Sequence, residues 1–357
     1  MDHLPSENDL LLEWNERKGI YSLHRLGKRS SDIASTSKGC VLIPYAHPAL
    51  EGVIPEFYPI VSTEQIVLKE IKSYEDKIRL IPSLSRSEYI QKVNELKKHI
   101  QLGDIYEINF CLEFSAEEVK IDIFRIFLKL KEVSKAPYTY LLKKGAEYIL
   151  CASPELFLKK QGNVLSTKPI KGTAPRAKDS DEDERLKSEL FHSVKERTEN
   201  VMAVDVARND LSMIAKRGTV EVNKLYNIES YETVHQLVST VKCEIRSEAG
   251  LNEIIEATFP MASMTGAPKR SAMDLIAQFE NFDRKYYSGT MGMTEANGDF
   301  ELCVIIRSVF YNEKSRRVSF AVGSAITHLC DPEKEYEECM LKANSMLKAL
   351  NAELRNQ

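Results

Sequence analysis

Two glutamate pairs in the sequence share one spacing. Glu196 and Glu199 lie in VKERTENVMAVDVARND, and Glu335 and Glu338 lie in DPEKEYEECMLKANSML. A separation of three puts both carboxylates of a pair on one side of a helix. Two helices that each present such a face could hold a hard divalent cation. Magnesium suits, because it takes one or two carboxylates and completes its octahedron with substrate oxygens and water. The competing reading is an ordinary solvated helix face, where glutamates are common.

The stretch STKPIKGTAPRAK encloses Lys171 between two prolines and beside Gly172. A hairpin turn near Gly162 would place Glu155 opposite position ~169, because hairpin register follows the turn. Glu155 and Lys171 then lie at the same hairpin end. An amine is a nucleophile only when neutral, which requires burial or a nearby cation, and a stiff frame fixes where it points. A salt bridge across the hairpin end explains the same spacing. Arg307 closes the apolar run CVIIR and suits bidentate capture of a carboxylate. VGSA, which contains Gly323, Ser324 and Ala325, can offer backbone N–H groups to an anion. His235 opens a strand in ETVHQLVST, and a lone histidine there is usually a hydrogen-bonded structural residue.

Several chemistries are excluded. Position six of a calcium loop starting at Asp179 would be Glu184 instead of glycine, so DSDEDER reads as the acidic first turn of a helix. TGAPKRS lacks phosphate-loop spacing, GxSxG and HExxH are absent, and the seven histidines show no zinc spacing. With 49 basic and 53 acidic residues and a net charge of -4, nucleic acid is not an expected partner. No apolar run reaches the ~20 residues of a membrane helix, and the N-terminus lacks the features of a secretory signal. Seven scattered cysteines without CxxC suit a reducing, cytoplasmic setting.

The elements that must carry these residues are legible in part. Ser87 is the expected cap of a helix bearing Tyr89, Ile90, Val93, Leu96 and Ile100, which Gly103 ends. IYEINFCLEF reads as a strand and DIFRIFLKLKEVS as a helix. EYILCA, ELFLKK and NVLSTK read as three consecutive antiparallel strands. Residues 180–217 read as helical, TVEVNKLYNI and HQLVSTVKCEI as strands, and SAMDLIAQFENF as a helix. FELCVIIRSVFYNEKSRRVSFAVGSAIT reads as one hairpin. Asp331 and Pro332 open a last helix over 332–354. The pattern predicts an α+β fold. Residues 1–85 read as a divergent segment that contributes to the same fold, and 86–354 as the catalytic unit.

The ordered motifs SPELF, KPIKGTAPR, RTENVMAVDVARNDLS, VHQLVST, FPMASMTGAPK, IIRS and EYEECMLKA make residues 86–350 resemble the chorismate-utilising enzymes. Within them, PIKGT with Lys171 is most similar to the aminodeoxychorismate synthase component I branch; the anthranilate synthase branch carries PIAGT. Glu107, in GDIYEIN, replaces the glutamine usual in ammonia-using members and the water-activating lysine of isochorismate synthases. The resemblance implies two large, mostly antiparallel β-sheets packed face to face with helices outside and the site between them. It implies Mg²⁺ on Glu199 and Glu338, with Glu196 and Glu335 beside them. Gly172 and Thr173 would contact chorismate. Tyr287, Arg307 and the backbone of Gly323 to Ala325 would hold its carboxylates, and His235, Ser263 and Glu107 would line the site. VGSAIT in place of AGAGIV, and Glu301 where aspartate is usual, depart from the family pattern. So does Trp14 at the serine position of the LLES-like stretch, where some relatives bind tryptophan.

The implied reaction begins with a neutral Lys171 amine adding at ring C2 while Glu155 protonates the departing C4 hydroxyl. Ammonia then displaces the lysine, giving 4-amino-4-deoxychorismate for p-aminobenzoate and folate synthesis. The ammonia would come from a separate glutamine amidotransferase. Anthranilate synthase, isochorismate synthase and a catalytically silent chorismate-binding or regulatory subunit are the rival expectations.

Overall fold

The computed structural model describes residues 9–15, 18–31, 37–46, 55–68, 77–232 and 234–355. The chain opens with β1 (Leu10–Asn15), β2 (Ile20–Leu26), β3 (Gly39–Ile43), β4 (Glu56–Ile66) and β5 (Ile78–Pro82). Next come α1 (Arg86–Leu102), β6 (Glu107–Ala116), α2 (Ile123–Ser134), β7 (Tyr138–Lys144), β8 (Glu147–Ser153), β9 (Leu156–Gln161), β10 (Val164–Thr167) and β11 (Ile170–Pro175). The middle holds α3 (Ser180–His192), α4 (Val194–Ser212), β12 (Glu221–Ser230), β13 (Val234–Glu244), α5 (Leu251–Thr258), β14 (Gly266–Ala267) and α6 (Lys269–Phe279). The chain closes with β15 (Thr290–Thr294), β16 (Phe300–Val304), β17 (Ser308–Asn312), β18 (Arg317–Thr327), α7 (Pro332–Leu350) and β19 (Ala352–Leu354). The sequence KGCVLIPYAHPAL suggests a strand and then a turn; the strand is β3, and residues 47–50 lie outside the described residues.

Two antiparallel sheets result. The first runs β4-β2-β1-β7-β8-β17-β18-β6, with β5 and β14 both on the far side of β6. The second runs β4-β3-β15-β16-β9-β10-β13-β12, with β11 beside β13 beyond the end of β10. Strand β4 is long enough to serve both. The short β19 pairs parallel with β5, so the last helix ends at Leu350 instead of running to 354.

Strand periodicity explains the layers. Leu11, Tyr140, Leu142 and Cys151 of the first sheet face Cys40, Leu42, Met291 and Cys303 of the second. Their alternates Leu10, Leu12, Leu141 and Leu150 pack against Tyr89 and Val93 of α1, Phe127 of α2 and Met346 of α7. On the second sheet, Val41, Ile43, Leu302 and Val304 turn towards Val204 and Leu211 of α4 and Ile254 of α5. Strands covered on both faces read as unbroken apolar runs, as GCVLI does. Each such leucine or valine contributes about 1.5–3 kcal/mol by burial.

Three local expectations are corrected. Helix α1 is capped by Ser85: its hydroxyl accepts from Glu88 N at 3.3 Å while Glu88 Oε2 accepts from Ser85 N at 2.8 Å. A capping box needs a glutamate three residues after the serine, and Ser87 has none. The expected run EYILCA, ELFLKK, NVLSTK is not a meander. β8 pairs with β7 and β17 in the first sheet, whereas β9 pairs with β10 and β16 in the second. The expected hairpin over 300–327 likewise divides, with β16 in the second sheet and the β17–β18 hairpin in the first.

Candidate active site

The chain therefore crosses from one sheet to the other by short links at Ser153–Leu156 and at Val304–Ser308. Backbone bonds stitch the crossovers together: Glu155 O accepts from Val304 N at 3.0 Å, and Arg307 O accepts from Ala152 N at 3.3 Å. Glu155 and Arg307 are thus the two charged residues placed where the sheets meet. Arg307 sits at φ 49°, a left-handed conformation that ends the apolar run and starts the return strand. Its guanidinium faces Glu155 and is pulled below the usual arginine range by burial.

Lys171 enters this junction through a bulge. β11 pairs with β13 at Ile170↔Val238 and then shifts register before Thr173↔Gln236. The extra residue re-aims the side chain. Gly172 takes φ 83° in the bulge, and a Cβ there would lie 2.8 Å from Glu196 Oε2. Glycine is required on both counts. Lys171 is buried, and its Nζ donates to Oε1 of the buried Glu107 at the start of β6. Thr173 is exposed on the same bulge. The hairpin register expected from Gly162 is one residue off, with Val164 opposite Gln161. Glu155 nevertheless reaches the lysine strand, accepting a long 3.5 Å bond from Ile170 N. The Ser263 hydroxyl lies beside Glu155 without a hydrogen bond of ordinary geometry.

Burial pushes Glu155 up to about 7, against smaller opposing effects of Ser263, Ile170 N, Lys171 and Lys342. The sequence argument required a neutral Lys171 amine, whereas the resting site holds the charged form. Burial alone would lower its pKa, but Glu107, Glu199 and Glu155 together hold it well above the usual lysine range.

The two glutamate pairs come together from α4 and α7. Lys195 Nζ lies 3.0 Å from Glu335 Oε1, 3.7 Å from Glu338 Oε2 and 3.9 Å from Glu199 Oε1. Glu196 stands one turn away, against Gly172. Burial pushes Glu199 up to about 7 and raises Glu196 and Glu335 as well. Glu338 is held below the usual range, because Lys342, 2.8 Å away, and Lys195 outweigh its burial. Glu199 Oε1 and Glu335 Oε2 are buried without any hydrogen-bond donor. Two orphaned hard oxygens on facing helices fit magnesium's donor preference. No group of three or more acidic, histidine or cysteine ligands is drawn together as a metal cage among the described residues. Lys195 is instead the cation these carboxylates share.

Gly323 to Ala325 lie where β18 outruns β17. Gly323 O accepts from Lys342 Nζ at 2.8 Å, so this residue's backbone groups face away from β6. Asn109 N donates to Thr265 O at 2.8 Å, which makes the Asn109↔Ala325 pair a non-hydrogen-bonded one. The Ala325 N–H therefore faces the same open side. The Ser324 side chain points elsewhere, to Tyr89 Oη at 2.7 Å. Tyr287 is buried with its hydroxyl 3.9 Å from Cys111 Sγ. Both ring nitrogens of His235 have protein partners, Ser230 Oγ at 2.8 Å and Asp183 Oδ1 at 3.1 Å. It braces α3 against β13 and keeps no free nitrogen for a substrate ring.

Lys195 and Lys342 were missed in the sequence reading. Both stand at i,i+4 spacing to a glutamate of the pairs, Lys195 to Glu199 and Lys342 to Glu338, and that spacing was the available signal. Asp183, in the first turn of α3, carried no signal, because only packing brings it to His235; Ser230 is the cross-strand partner of His235 in the β12–β13 hairpin.

The sequence profile of the chorismate binding enzyme family matches residues 58–348. The chain belongs to this family. It is 38% identical over 283 residues to the probable aminodeoxychorismate synthase, chloroplastic, of Oryza sativa subsp. japonica, a match covering 78% of this chain and 31% of that protein. It is 36% identical over 262 residues to aminodeoxychorismate synthase component 1 of Bacillus subtilis, covering 73% of this chain and 55% of that protein. The chain therefore spans about a third to about half the length of these relatives. The fold matches a solved structure described as a putative 2,3-dihydroxybenzoate-specific isochorismate synthase from Bacillus anthracis. The TM-score is 0.78 at 21% identity, covering 98% of both chains. That likeness establishes the α+β architecture of two facing sheets. No helix among the described residues is long and apolar enough to cross a membrane, and all seven cysteines are buried and unpaired.

Proposed function

We propose that this chain is an aminodeoxychorismate synthase component I, which aminates chorismate at C4 with ammonia through a covalent bond to Lys171. The observation that carries the reading is the bulge at Gly172. It aims a buried amine at the sheet junction, where a buried carboxyl, Glu155, is half-protonated near neutral pH.

Arg307 and the open N–H groups of Gly323 and Ala325 bind carboxylates and fix the ring. Lys171 forms a bond to C2 and Glu155 protonates the C4 hydroxyl as it leaves. Ammonia then attacks C4 and expels the lysine, so two allylic displacements put the amine at C4. Prior occupation of C2 is what selects C4. Glu199 and Glu338, with Glu196 and Glu335 beside them, would hold Mg²⁺, whose Lewis acidity would draw electron density towards the ring carboxylate. The naming of the Bacillus subtilis relative as component 1 supports a separate glutamine amidotransferase as ammonia source. The buried free thiols accord with a reducing, cytoplasmic setting.

The test is the purified chain with chorismate, magnesium and ammonium chloride, with products resolved by mass. 4-Amino-4-deoxychorismate is the expected product; anthranilate or isochorismate would point to the other branches, and unconsumed chorismate to a silent subunit. Lys171→Ala is expected to lose at least about a hundredfold of C4 amination. Full C4 activity in that variant excludes the covalent step.

A further inference from the structure

We propose that Glu107 is the proton acceptor that frees the Lys171 amine for attack and returns the proton when the lysine departs. The inference deepens the covalent reading above and rests on it. It begins from the direct contact of Lys171 Nζ with Glu107 Oε1, between side chains only 8% and 4% exposed. A buried ion pair contributes little net stability, so its placement on the reacting nitrogen calls for a chemical role.

Other charged groups face Lys171 without touching it. They are Glu155 from the crossover, Glu196 and Glu199 from α4, and Glu338 and Lys342 from α7. None hydrogen-bonds the amine among the described residues; Glu107 does. Glu155 cannot serve, since the leaving hydroxyl needs its proton. Glu107 is also held by backbone at both sides. β6 pairs there with β18 through Thr327 and with β14 through Ala267, and Tyr106 N donates to Ala267 O at 2.7 Å. The carboxylate is therefore fixed relative to the amine by three strands, and the uncharged glutamine expected here could not accept a proton.

The step balances. The Lys171 ammonium gives its proton to Glu107. The nitrogen lone pair forms the C2–N bond, the two ring double bonds each shift one position, and the C4–O bond breaks, the hydroxyl leaving as water with the Glu155 proton. An incoming ammonium ion restores the proton on Glu155. Ammonia then attacks C4, the double bonds shift back, and the C2–N bond breaks. Lys171 recovers its proton from Glu107, and the pair ends as it began. No proton need reach solvent.

The experiment compares wild type, Glu107→Gln, Glu107→Asp, Lys171→Ala and the Glu107→Gln/Lys171→Ala double variant. Each is assayed with chorismate, magnesium and ammonium chloride from pH 6.5 to 9.5, with rates divided by wild type at each pH. Chorismate affinity is measured alongside as the check on folding. Glu107→Gln is expected to lose about a hundredfold in C4 amination near pH 7. It should recover as pH rises, since the lysine proton must then leave to solvent, while chorismate affinity changes less than about threefold. The double variant should be no worse than Lys171→Ala alone, because Glu107 acts on the lysine. Glu107→Asp keeps an acceptor and is expected to fall less, with a pH profile parallel to wild type; it also carries the test if the glutamine variant does not fold. The proposal is overturned if Lys171→Ala is inactive while Glu107→Gln keeps its rate, or if the loss does not change with pH. If Lys171→Ala keeps full C4 activity, the covalent reading fails first and takes this inference with it.

Discussion

Lys195 of α4 reaches Glu335 of α7 at 3.0 Å, and the same nitrogen is within 4 Å of Glu199 and Glu338. One ammonium thus spans the carboxylates of two helices whose oxygens include two buried without a hydrogen bond. Its side chain is 45% exposed, so it can leave for solvent while the carboxylates stay. Lys195→Met is expected to destabilise the protein in chelator, by about 1 kcal/mol or ~2 °C in Tm. It should tighten Mg²⁺ binding about tenfold, as a competing cation is removed. Calorimetric titration with magnesium chloride reads the affinity and thermal melts in EDTA read the stability. An unchanged or weaker affinity would show that Lys195 does not compete for the carboxylates.

Under the proposed reaction, Glu155 sets the pH dependence. Burial lifts its pKa from 4.5 to about 7. Below pH 7 the carboxyl carries the proton that the leaving hydroxyl needs; above it, the proton is lost. The C4–O cleavage rate, measured as kcat at saturating ammonia, is expected to fall about tenfold per pH unit above ~7. Glu155→Gln should remove that limb and lower kcat about a hundredfold. The stability linkage has the same direction. A carboxyl whose folded pKa is raised favours the native state below its unfolded pKa, and that contribution is lost as pH rises through ~7. Melts of Glu155→Gln should therefore gain on wild type between about pH 5 and 8.

Gly172→Ala tests the close approach of β11 to α4. The position has φ 83°, and the added carbon would meet Glu196 Oε2 at 2.8 Å and its Cβ at 3.0 Å. The strain costs about 1–3 kcal/mol. Because relief requires Glu196 or the bulge to move, catalysis should suffer beyond the stability loss, by tenfold or more in kcat/KM. A variant that melts earlier yet turns over normally at low temperature would show the contact to be structural alone.

The glutamate pairs were legible from residue type and spacing, and they do face one another from α4 and α7. The helix ends at Gly103 and Asp331 were legible for the same local reason. The sheet assignment was not. EYILCA followed by ELFLKK has the alternation and short separation of a hairpin, and nothing local distinguishes a turn that pairs two strands from one that carries the chain to another sheet. That distinction depends on β16 and β17, about 150 residues away, which capture β9 and β8 separately. The protonation of Lys171 was illegible for a related reason. Glu107 and Glu199 approach it only once three elements have packed.

Arg307 occupies a left-handed conformation that costs a non-glycine residue about 1–2 kcal/mol. Glycine would relieve that cost, so an arginine there points to its side chain. The guanidinium faces the Glu155 carboxyl at the sheet junction, and the open N–H groups of β18 lie on the neighbouring strand of the first sheet. A planar two-donor fork matches a carboxylate in a way that an ammonium does not. Arg307→Lys keeps the charge and is expected to raise the chorismate KM about thirtyfold or more, with a smaller change in kcat. Arg307→Gly should melt no lower than wild type while losing chorismate binding altogether. Steady-state kinetics and thermal melts separate the two effects. A glycine variant that binds chorismate normally would mean that the substrate's carboxylates are held elsewhere.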